Sequence, residues 1–196
     1  THHGAAPRLP SLAGPVAFTP GRGARIAFPG KCPLPSMAPT TNRVRIIGGR
    51  HRGRVLRFPG VPGLRPTPDR VRETLFNWLG QDLAGRTTLE PYAGSGAMSL
   101  EALSRGATLA VAVDRHPALV RALADNARLF GAEGLETHRG DARAFLVRET
   151  RRFDVIFLDP PFAEDPWGWL LPACAARLAE DGAIYAEARS TLTPPP

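Results

Sequence analysis

The alternation of strand and helix patterns after residue 68 constrains the fold of this chain most. Apolar strand patterns lie at about 87–92, 108–114, 135–139, 153–159 and 183–188. Helix patterns begin after Thr67-Pro68 and then lie at about 97–105, 117–130, 141–149 and 167–179. Apolar strands that alternate with helices form a parallel sheet with helices on both faces. We therefore predict an α/β doubly wound sheet, in which ligands bind at the carboxyl ends of the strands.

Basic residues are concentrated in the first third of the chain. Residues 1–68 contain eleven Lys and Arg residues and no Asp or Glu, whereas the 196 residues together hold 25 basic and 18 acidic residues and have a net charge of +7. Residues 43–58 alternate Arg with Val, Ile and Leu around glycines, which predicts a basic β-hairpin. A cationic hairpin ahead of a mildly acidic domain favours RNA as a partner. A solvated edge hairpin is the alternative.

Composition divides the chain into three segments. Residues 1–42 are rich in Pro, Gly and Arg and are predicted to be a disordered extension, in which Met37 is a candidate natural start. Residues 43–66 form the hairpin appendage, and residues 67–196 form the main domain. No apolar run approaches the length of a membrane span, and Cys32 and Cys174 lack metal-ligand spacing. We expect a cytoplasmic, metal-free monomer.

The fourth strand pattern ends in Asp159-Pro160-Pro161-Phe162. Each proline lacks an N–H group and has a fixed φ, so the pair ends the strand and holds a rigid extended turn. One carboxylate and one backbone carbonyl held in this way can accept the two protons of an exocyclic amine, while Phe162 stacks on the base. The turn therefore indicates chemistry on a nucleobase amine. An ordinary strand-end turn with a core phenylalanine is the alternative.

Candidate cofactor residues follow the first three strand patterns. Gly94-Ser95-Gly96 lies between a strand and a helix, where glycines let the backbone approach a nucleoside cofactor closely. Asp114 lies 18 residues after Gly96, near the spacing of roughly 20 residues for a ribose-binding carboxylate. A helix N-cap is the alternative for Asp114. Asp141 either accepts a hydrogen bond from an adenine amine or caps the next helix.

Six motifs occur in a characteristic order. They are Arg45–Arg50, Gly63–Thr67, Arg70–Leu79, Tyr92–Gly96, Leu100–Ala107 and Asp159–Phe162. In these motifs the chain resembles the bacterial 16S rRNA (guanine-N2)-methyltransferases. The resemblance implies a Rossmann-like class I methyltransferase sheet with an N-terminal basic β-hairpin and S-adenosylmethionine as the cofactor. It also implies methyl transfer to guanine N2 in 16S rRNA or in a small ribosomal subunit assembly intermediate.

The same resemblance implies which residues bind the cofactor. The glycine loop would hold its methionine part, Asp114 its ribose and Asp141 its adenine. The predicted cofactor-binding residues are Thr67, Glu90, Gly94, Ser95, Gly96, Asp114, Asp141 and Ala142. The family usually has Asp where this chain has Glu90, so the carboxylate here extends one methylene further.

Guanine and rRNA contacts follow from the resemblance too. The Asp159 carboxylate and the Pro160 carbonyl would hold the amine, and Phe162 would stack on the ring. The predicted catalytic residues are therefore Asp159, Pro160, Pro161 and Phe162, and the predicted RNA-binding residues are Arg45, Arg50, Arg52, Arg54, Arg65 and Arg70. Family members continue for about another hairpin, so we expect the domain at 67–196 to be truncated and its last strand to be an open edge.

Two other functions stay open on the sequence. An adenine-N6 methyltransferase would use a similar turn, although that turn commonly begins with Asn where this chain has Asp159. A non-catalytic RNA-binding or ribosome-assembly protein would keep the basic hairpin without needing Asp159. An oxidoreductase that uses a dinucleotide is disfavoured, because Ser99 stands at the third glycine position of the fingerprint.

Overall fold

The computed structural model describes residues 16–18, 42–161, 164–188 and 192. The strands in these ranges are β1 (Val16–Phe18), β2 (Arg43–Arg45), β3 (Val55–Arg57), β4 (Thr87–Glu90), β5 (Leu109–Asp114), β6 (Leu135–Arg139), β7 (Phe153–Leu158) and β8 (Leu178–Ala186). The helices are α1 (Asp69–Leu79), α2 (Ala97–Ser104), α3 (Pro117–Phe130), α4 (Ala142–Arg148) and α5 (Trp167–Ala175). A short 3-10 turn spans Gly49–His51.

The main sheet has the strand order β1-β8-β7-β4-β5-β6. Strands β4 to β8 run parallel to their neighbours, and β1 pairs antiparallel with β8. The central strands are apolar because helices cover both faces of the sheet: α1, α2 and α3 pack in one core cluster, and α4 and α5 pack in the other. The predicted α/β doubly wound fold is confirmed.

Proline and glycine set the bounds of two helices. Helix α1 begins after Pro68 and ends before Gly80, which has a φ of 98°. Helix α3 has Pro117 in its first turn and ends before Gly131, which has a φ of 64°. Proline suits a first turn because it has no N–H group to leave unpaired, and glycine adopts the left-handed conformation that ends a helix.

The last helix and strand differ from the sequence-based expectation. Helix α5 ends at Ala175 rather than near residue 179, and β8 begins at Leu178 rather than near residue 183. The reason is pairing: Leu178 lies beside Phe153 of β7, and both side chains are buried. Pairing with a parallel strand therefore places residues in β8 that the local sequence pattern assigns to the helix or to a turn.

Strand β8 is not the open edge that the sequence predicts. Val16–Phe18 pair with Ala186, Tyr185 and Ile184, so the last three residues of β8 have backbone partners on that side. These three residues lie in the segment 1–42 that the sequence predicts to be a disordered extension. Residues 1–15 and 19–41 lie outside the described part of the chain, as do 189–191 and 193–196.

The β2–β3 hairpin shares the core of the main domain. Val44, Ile46, Leu56 and Phe58 are buried in the same cluster as the apolar side chains of α1 and α2. The predicted hairpin is therefore present, but it is not an appendage separate from the domain that follows.

Three absences concern the described residues only. None of their helices is long and apolar enough to cross a membrane. No group of three or more His, Cys, Asp or Glu side chains among them has the arrangement of a metal site. Cys174 is a free, buried thiol, and Cys32 lies outside the described ranges.

Candidate active site

A cavity of about 630 Å³ lies at the carboxyl ends of β4, β5, β7 and β8. The segment at 61–67, which connects the hairpin to α1, forms another of its walls. The sequence-predicted residues that line it are Arg65, Thr67, Glu90, Gly94, Ser95, Asp114, Ala142, Asp159, Pro160 and Pro161. Strands of a parallel sheet end at one edge, which is why residues from distant motifs meet there. Phe162 lies outside the described residues.

The glycine loop is fixed to the end of β5. The Gly94 N–H group donates to Asp114 Oδ2 over 2.8 Å, and the His116 N–H group donates to Asp114 Oδ1 over 2.7 Å. Gly94 has a φ of 51°, and a Cβ atom there would lie 2.8 Å from Leu64 Cδ1. Only glycine suits this position, because any side chain would be strained and would press on the cavity wall. Asp114 is not the N-cap of α3, which is His116.

Two residues of the predicted cofactor set do not line the cavity. Gly96 precedes α2 with a φ of 71°, and a Cβ atom there would collide with the Leu123 side chain of α3. Its absence of a side chain therefore allows α2 and α3 to pack closely. Asp141 is the N-cap of α4, and its Oδ1 accepts the Ala144 N–H group over 3.0 Å. Of the two roles predicted for Asp141, the structure shows the helix cap.

Glu90 is a buried acid at the end of β4. One of its carboxylate oxygens accepts both the Ser99 N–H group, over 3.0 Å, and the Ser99 hydroxyl. Burial raises the pKa of Glu90 to about 8, because its effect, with a smaller one from the charge of Asp114, outweighs the lowering by the Ser99 hydrogen bonds. Ser99, which breaks the glycine fingerprint, is thus the partner of this carboxyl group.

Asp159 follows β7 and is half-buried in the cavity wall. Burial, together with the charges of Glu187 and Glu90, raises the pKa of its carboxyl to about 8. Pro160 is buried and Pro161 is exposed. Because burial disfavours the charged form, the raised pKa values mean that the carboxyl groups of Glu90, Asp159 and Glu187 hold protons up to higher pH than isolated acids do.

Sequence reasoning missed Glu187. Its Oε1 accepts the Tyr185 hydroxyl over 2.9 Å, and Thr67 hydrogen-bonds its carboxyl group as well. Burial raises the pKa of Glu187. The available signal was its place after an apolar strand, the same signal that marks Asp114 and Asp159.

A buried ionic cluster joins the hairpin to the cavity domain. Glu101 of α2 accepts the N–H groups of Ile47 and Gly48, over 3.0 and 2.7 Å. Its carboxylate also pairs with Arg72 over 3.2 Å and with Arg105 over 2.9 Å. The side chains of Glu101 and Arg72 are 0% exposed. The position of the hairpin is therefore set by charges inside the protein.

The six arginines predicted to bind RNA are all exposed: Arg45, Arg50, Arg52, Arg54, Arg65 and Arg70. Arg54 donates to the Leu129 carbonyl over 3.0 Å and lies over the Phe130 ring. Arg65 also lines the cavity, so the basic surface extends from the hairpin to the cavity. Arg72, by contrast, is buried and pairs with Glu101 inside the protein.

Comparison with known proteins decides the family. A family model described as conserved hypothetical protein 95 matches residues 44–195. The chain belongs to this family. The match covers the hairpin from its second residue onward, the connecting segment and all the residues that line the cavity. The family resemblance that the six sequence motifs indicated is therefore confirmed.

Individual relatives of the chain agree with the family and the fold. Ribosomal RNA small subunit methyltransferase D of Escherichia coli (strain K12) is 43% identical over 122 residues, which are 62% of this chain and 62% of that protein. The chain thus spans less than two thirds of that relative's length. The solved structure of the putative methyltransferase yhhF from Escherichia coli has a TM-score of 0.66 and 39% identity, and the match covers 74% of this chain and 81% of that chain.

A more distant solved structure carries a ligand. The PRMT1 enzyme-prozyme complex of Trypanosoma brucei with AdoHcy has a TM-score of 0.50 and 29% identity, over 59% of this chain and 38% of that chain. Both solved structures agree with the Rossmann-like arrangement of β4 to β8.

Proposed function

We propose that this chain transfers a methyl group from S-adenosylmethionine to the exocyclic N2 amine of a guanine in 16S rRNA. One observation carries the proposal: a single cavity is lined both by the Gly94 loop with Asp114 and by the Asp159-Pro160 turn. A nucleoside cofactor and a nucleobase amine can therefore meet in one space. The 43% identity to ribosomal RNA small subunit methyltransferase D supports the choice of substrate.

The cavity suits S-adenosylmethionine in size and in polar groups. Its volume of about 630 Å³ falls within the range of roughly 300–1,000 Å³ that ligand sites usually have. Each Asp114 oxygen has a second lone pair beyond the backbone N–H group that it accepts, so both can also accept ribose hydroxyl groups. His116 lines the cavity, and its buried Nδ1 has no hydrogen-bond partner among the described residues, so a bound nucleoside can supply one.

Asp159 and Pro160 carry out the chemistry on the amine in this proposal. The lone pair of guanine N2 is delocalised into the ring, which makes the nitrogen a poor nucleophile. Acceptance of its two protons by the Asp159 carboxyl and the Pro160 carbonyl favours a pyramidal nitrogen with an available lone pair. When bound, S-adenosylmethionine supplies an electrophilic methyl group on a sulfonium, so that positioning by the protein provides most of the rate enhancement.

The exposed arginines hold the rRNA around this site. A base that is paired in a helix cannot reach Asp159, so the target guanine is flipped out or lies in a loop. Phosphate contacts from the hairpin, with Arg65 at the cavity, would fix the RNA backbone while the base enters. Stacking of Phe162 on the guanine stays a prediction. An rRNA substrate also favours a cytoplasmic protein, and the monomeric, metal-free state stays a prediction as well.

Mass spectrometry of small-subunit rRNA tests the proposal. Unmodified 16S rRNA and 30S particles are incubated with the protein and S-adenosylmethionine, digested to nucleosides and analysed for methylguanosine. We expect N2-methylguanosine, at one position, that is absent without protein. N6-methyladenosine would indicate the adenine alternative, and the absence of any methylated nucleoside together with rRNA binding would indicate the non-catalytic alternative.

Replacement of Arg50 and Arg52 by Gln is expected to weaken rRNA binding several-fold. Removal of one phosphate-binding arginine should reduce the slope of log Kd against log salt by about one, since fewer counterions are then released. Fluorescence anisotropy at several salt concentrations measures this slope. Arg128→Gln is the matched control, because Arg128 is an exposed arginine that pairs with Asp125 on α3. Equal slopes for the double variant and the wild type would contradict a role of the hairpin in phosphate binding.

A further inference from the structure

Two carboxyl groups follow neighbouring parallel strands side by side. Leu158 of β7 is in register with Ala186 of β8, and the Glu187 N–H group donates to the Leu158 carbonyl over 2.8 Å. Asp159 and Glu187 are the next residues of the two strands. Side chains alternate between the faces of a sheet, so Asp159 shares a face with Phe157, and Glu187 shares a face with Tyr185. Phe157 and Tyr185 are buried in the same core cluster, which places both carboxyl groups on one side of the sheet.

The Glu187 carboxyl is held from two directions. Tyr185 on β8 donates its hydroxyl to Oε1 over 2.9 Å, and Thr67, in the segment before α1, also hydrogen-bonds the carboxyl. Tyr185 and Thr67 both line the cavity. Glu187 is therefore oriented by the walls of the cavity, while Asp159 lines the cavity itself. This arrangement indicates that Glu187 acts on the reaction through Asp159.

Acids dominate the surroundings of Asp159. Glu90 faces it from β4 and Glu187 from β8, and both charges disfavour its ionisation. Asp114 at the end of β5 acts in the same sense on Glu90. The two arginines that line this cavity, Arg65 and Arg115, are both exposed to solvent. No buried cation lines the cavity among the described residues to offset the acids.

We propose that Glu187 is a positioning residue whose negative charge makes the Asp159 carboxylate a stronger acceptor for the proton that the guanine amine loses on methylation. The inference rests on the proposed function. The amine nitrogen forms a bond to the methyl carbon with its lone pair, and the electron pair of the broken C–S bond stays on sulfur. The nitrogen then releases one proton to a carboxylate oxygen of Asp159, recovers the N–H electron pair, and becomes a neutral secondary amine.

The pH dependence of catalysis tests this role. Only the ionised form of Asp159 can accept the proton. The kcat/KM of the wild type should therefore rise with pH, and the midpoint of the rise should lie at a pH of about 8, the pKa of Asp159. Glu187→Gln removes the neighbouring charge, which should move this midpoint to lower pH by about one unit. Its amide oxygen can still accept the Tyr185 hydroxyl. Glu187→Asp keeps the charge and should keep the midpoint near that of the wild type.

A second measurement does not depend on turnover. In protein labelled with ¹³C at the Asp carboxyl carbons, the Asp159 signal is assigned by its loss in Asp159→Asn and then titrated without substrate. We expect the titration midpoint to fall in Glu187→Gln and not in Glu187→Asp. Thermal unfolding shows whether each variant is folded over the pH range used.

The outcomes separate this proposal from the proposed function. A wild type that methylates no guanine would overturn both. A wild type that methylates guanine, with the kinetic and ¹³C midpoints unchanged in a folded Glu187→Gln variant, would overturn the role of Glu187 alone. A loss of activity in Glu187→Gln with no shift of either midpoint would assign Glu187 a purely structural role and would also contradict the proposal.

Discussion

Glu101→Gln is expected to lower the free energy of unfolding by about 3–5 kcal/mol, the usual cost of breaking a buried ion pair by removing one partner. The Glu101 carboxylate pairs with Arg72 and Arg105 and accepts two backbone N–H groups of the hairpin. The amide of Gln has no charge and only one acceptor oxygen, so Arg72, which is 0% exposed, would keep only its ion pair with Asp69, whose side chain is half-exposed.

Urea denaturation followed by circular dichroism measures this loss. Glu133→Gln is the matched control, because Glu133 is an exposed acid in the turn after α3 and should change the unfolding free energy by less than about 0.5 kcal/mol. Hydrogen exchange gives a second readout: the Ile47 and Gly48 amides should exchange faster in Glu101→Gln than in the control. Equal stability of the two variants would show that the ionic cluster does not hold the hairpin in place.

Asp159→Asn is expected to reduce kcat for methyl transfer by about 10²–10⁴-fold, the contribution typical of a positioned proton acceptor. Asn is isosteric with Asp and keeps one acceptor oxygen, but it cannot take up a proton. The substitution should cost little free energy of unfolding, because Asp159 is a half-buried acid whose pKa is raised to about 8 by burial and by the charges of Glu187 and Glu90. Single-turnover assays with saturating rRNA measure the chemical step.

The stability of Asp159→Asn provides the contrast with Glu101→Gln. An acid whose pKa is raised in the folded state favours folding most at low pH, and this contribution is lost as the pH rises through the folded-state pKa of about 8. Asn does not titrate, so Asp159→Asn should unfold at the same temperature as the wild type or a higher one at pH 8 and above. Asp165→Asn, at an exposed acid ahead of α5, is the activity control. Wild-type kcat in Asp159→Asn would refute the role assigned to Asp159.

Local patterns were sufficient to predict the elements that local forces decide. Helix α3 occupies the predicted residues because Pro117 and Gly131 set its two ends. Strands β5 and β7 follow from apolar runs that only a sheet covered on both faces can bury. The Asp159-Pro160-Pro161 turn follows from the proline ring, which needs no tertiary contact to fix its φ.

Positions that depend on partners far along the chain could not be predicted in this way. Glu101 has the local pattern of an ordinary helix acid, yet it is buried because residues 47, 48, 72 and 105 all direct donors at it. The spacing of Gly96 is that of a cofactor loop, but its lack of a Cβ atom leaves room for the Leu123 side chain of α3. Strand β1 has its partner β8 at the other end of the sequence.

The sequence by itself determined the α/β sheet, the basic hairpin and the acids at the strand ends, because periodicity, proline geometry and charge are properties of neighbouring residues. Only the tertiary structure decided which of those acids act together. The parallel register of β7 and β8 brings Glu187 beside Asp159, and the capping bond to Ala144 occupies Asp141 at α4. Register and burial depend on contacts between distant segments, so the electrostatics of the cavity arise only in the folded chain.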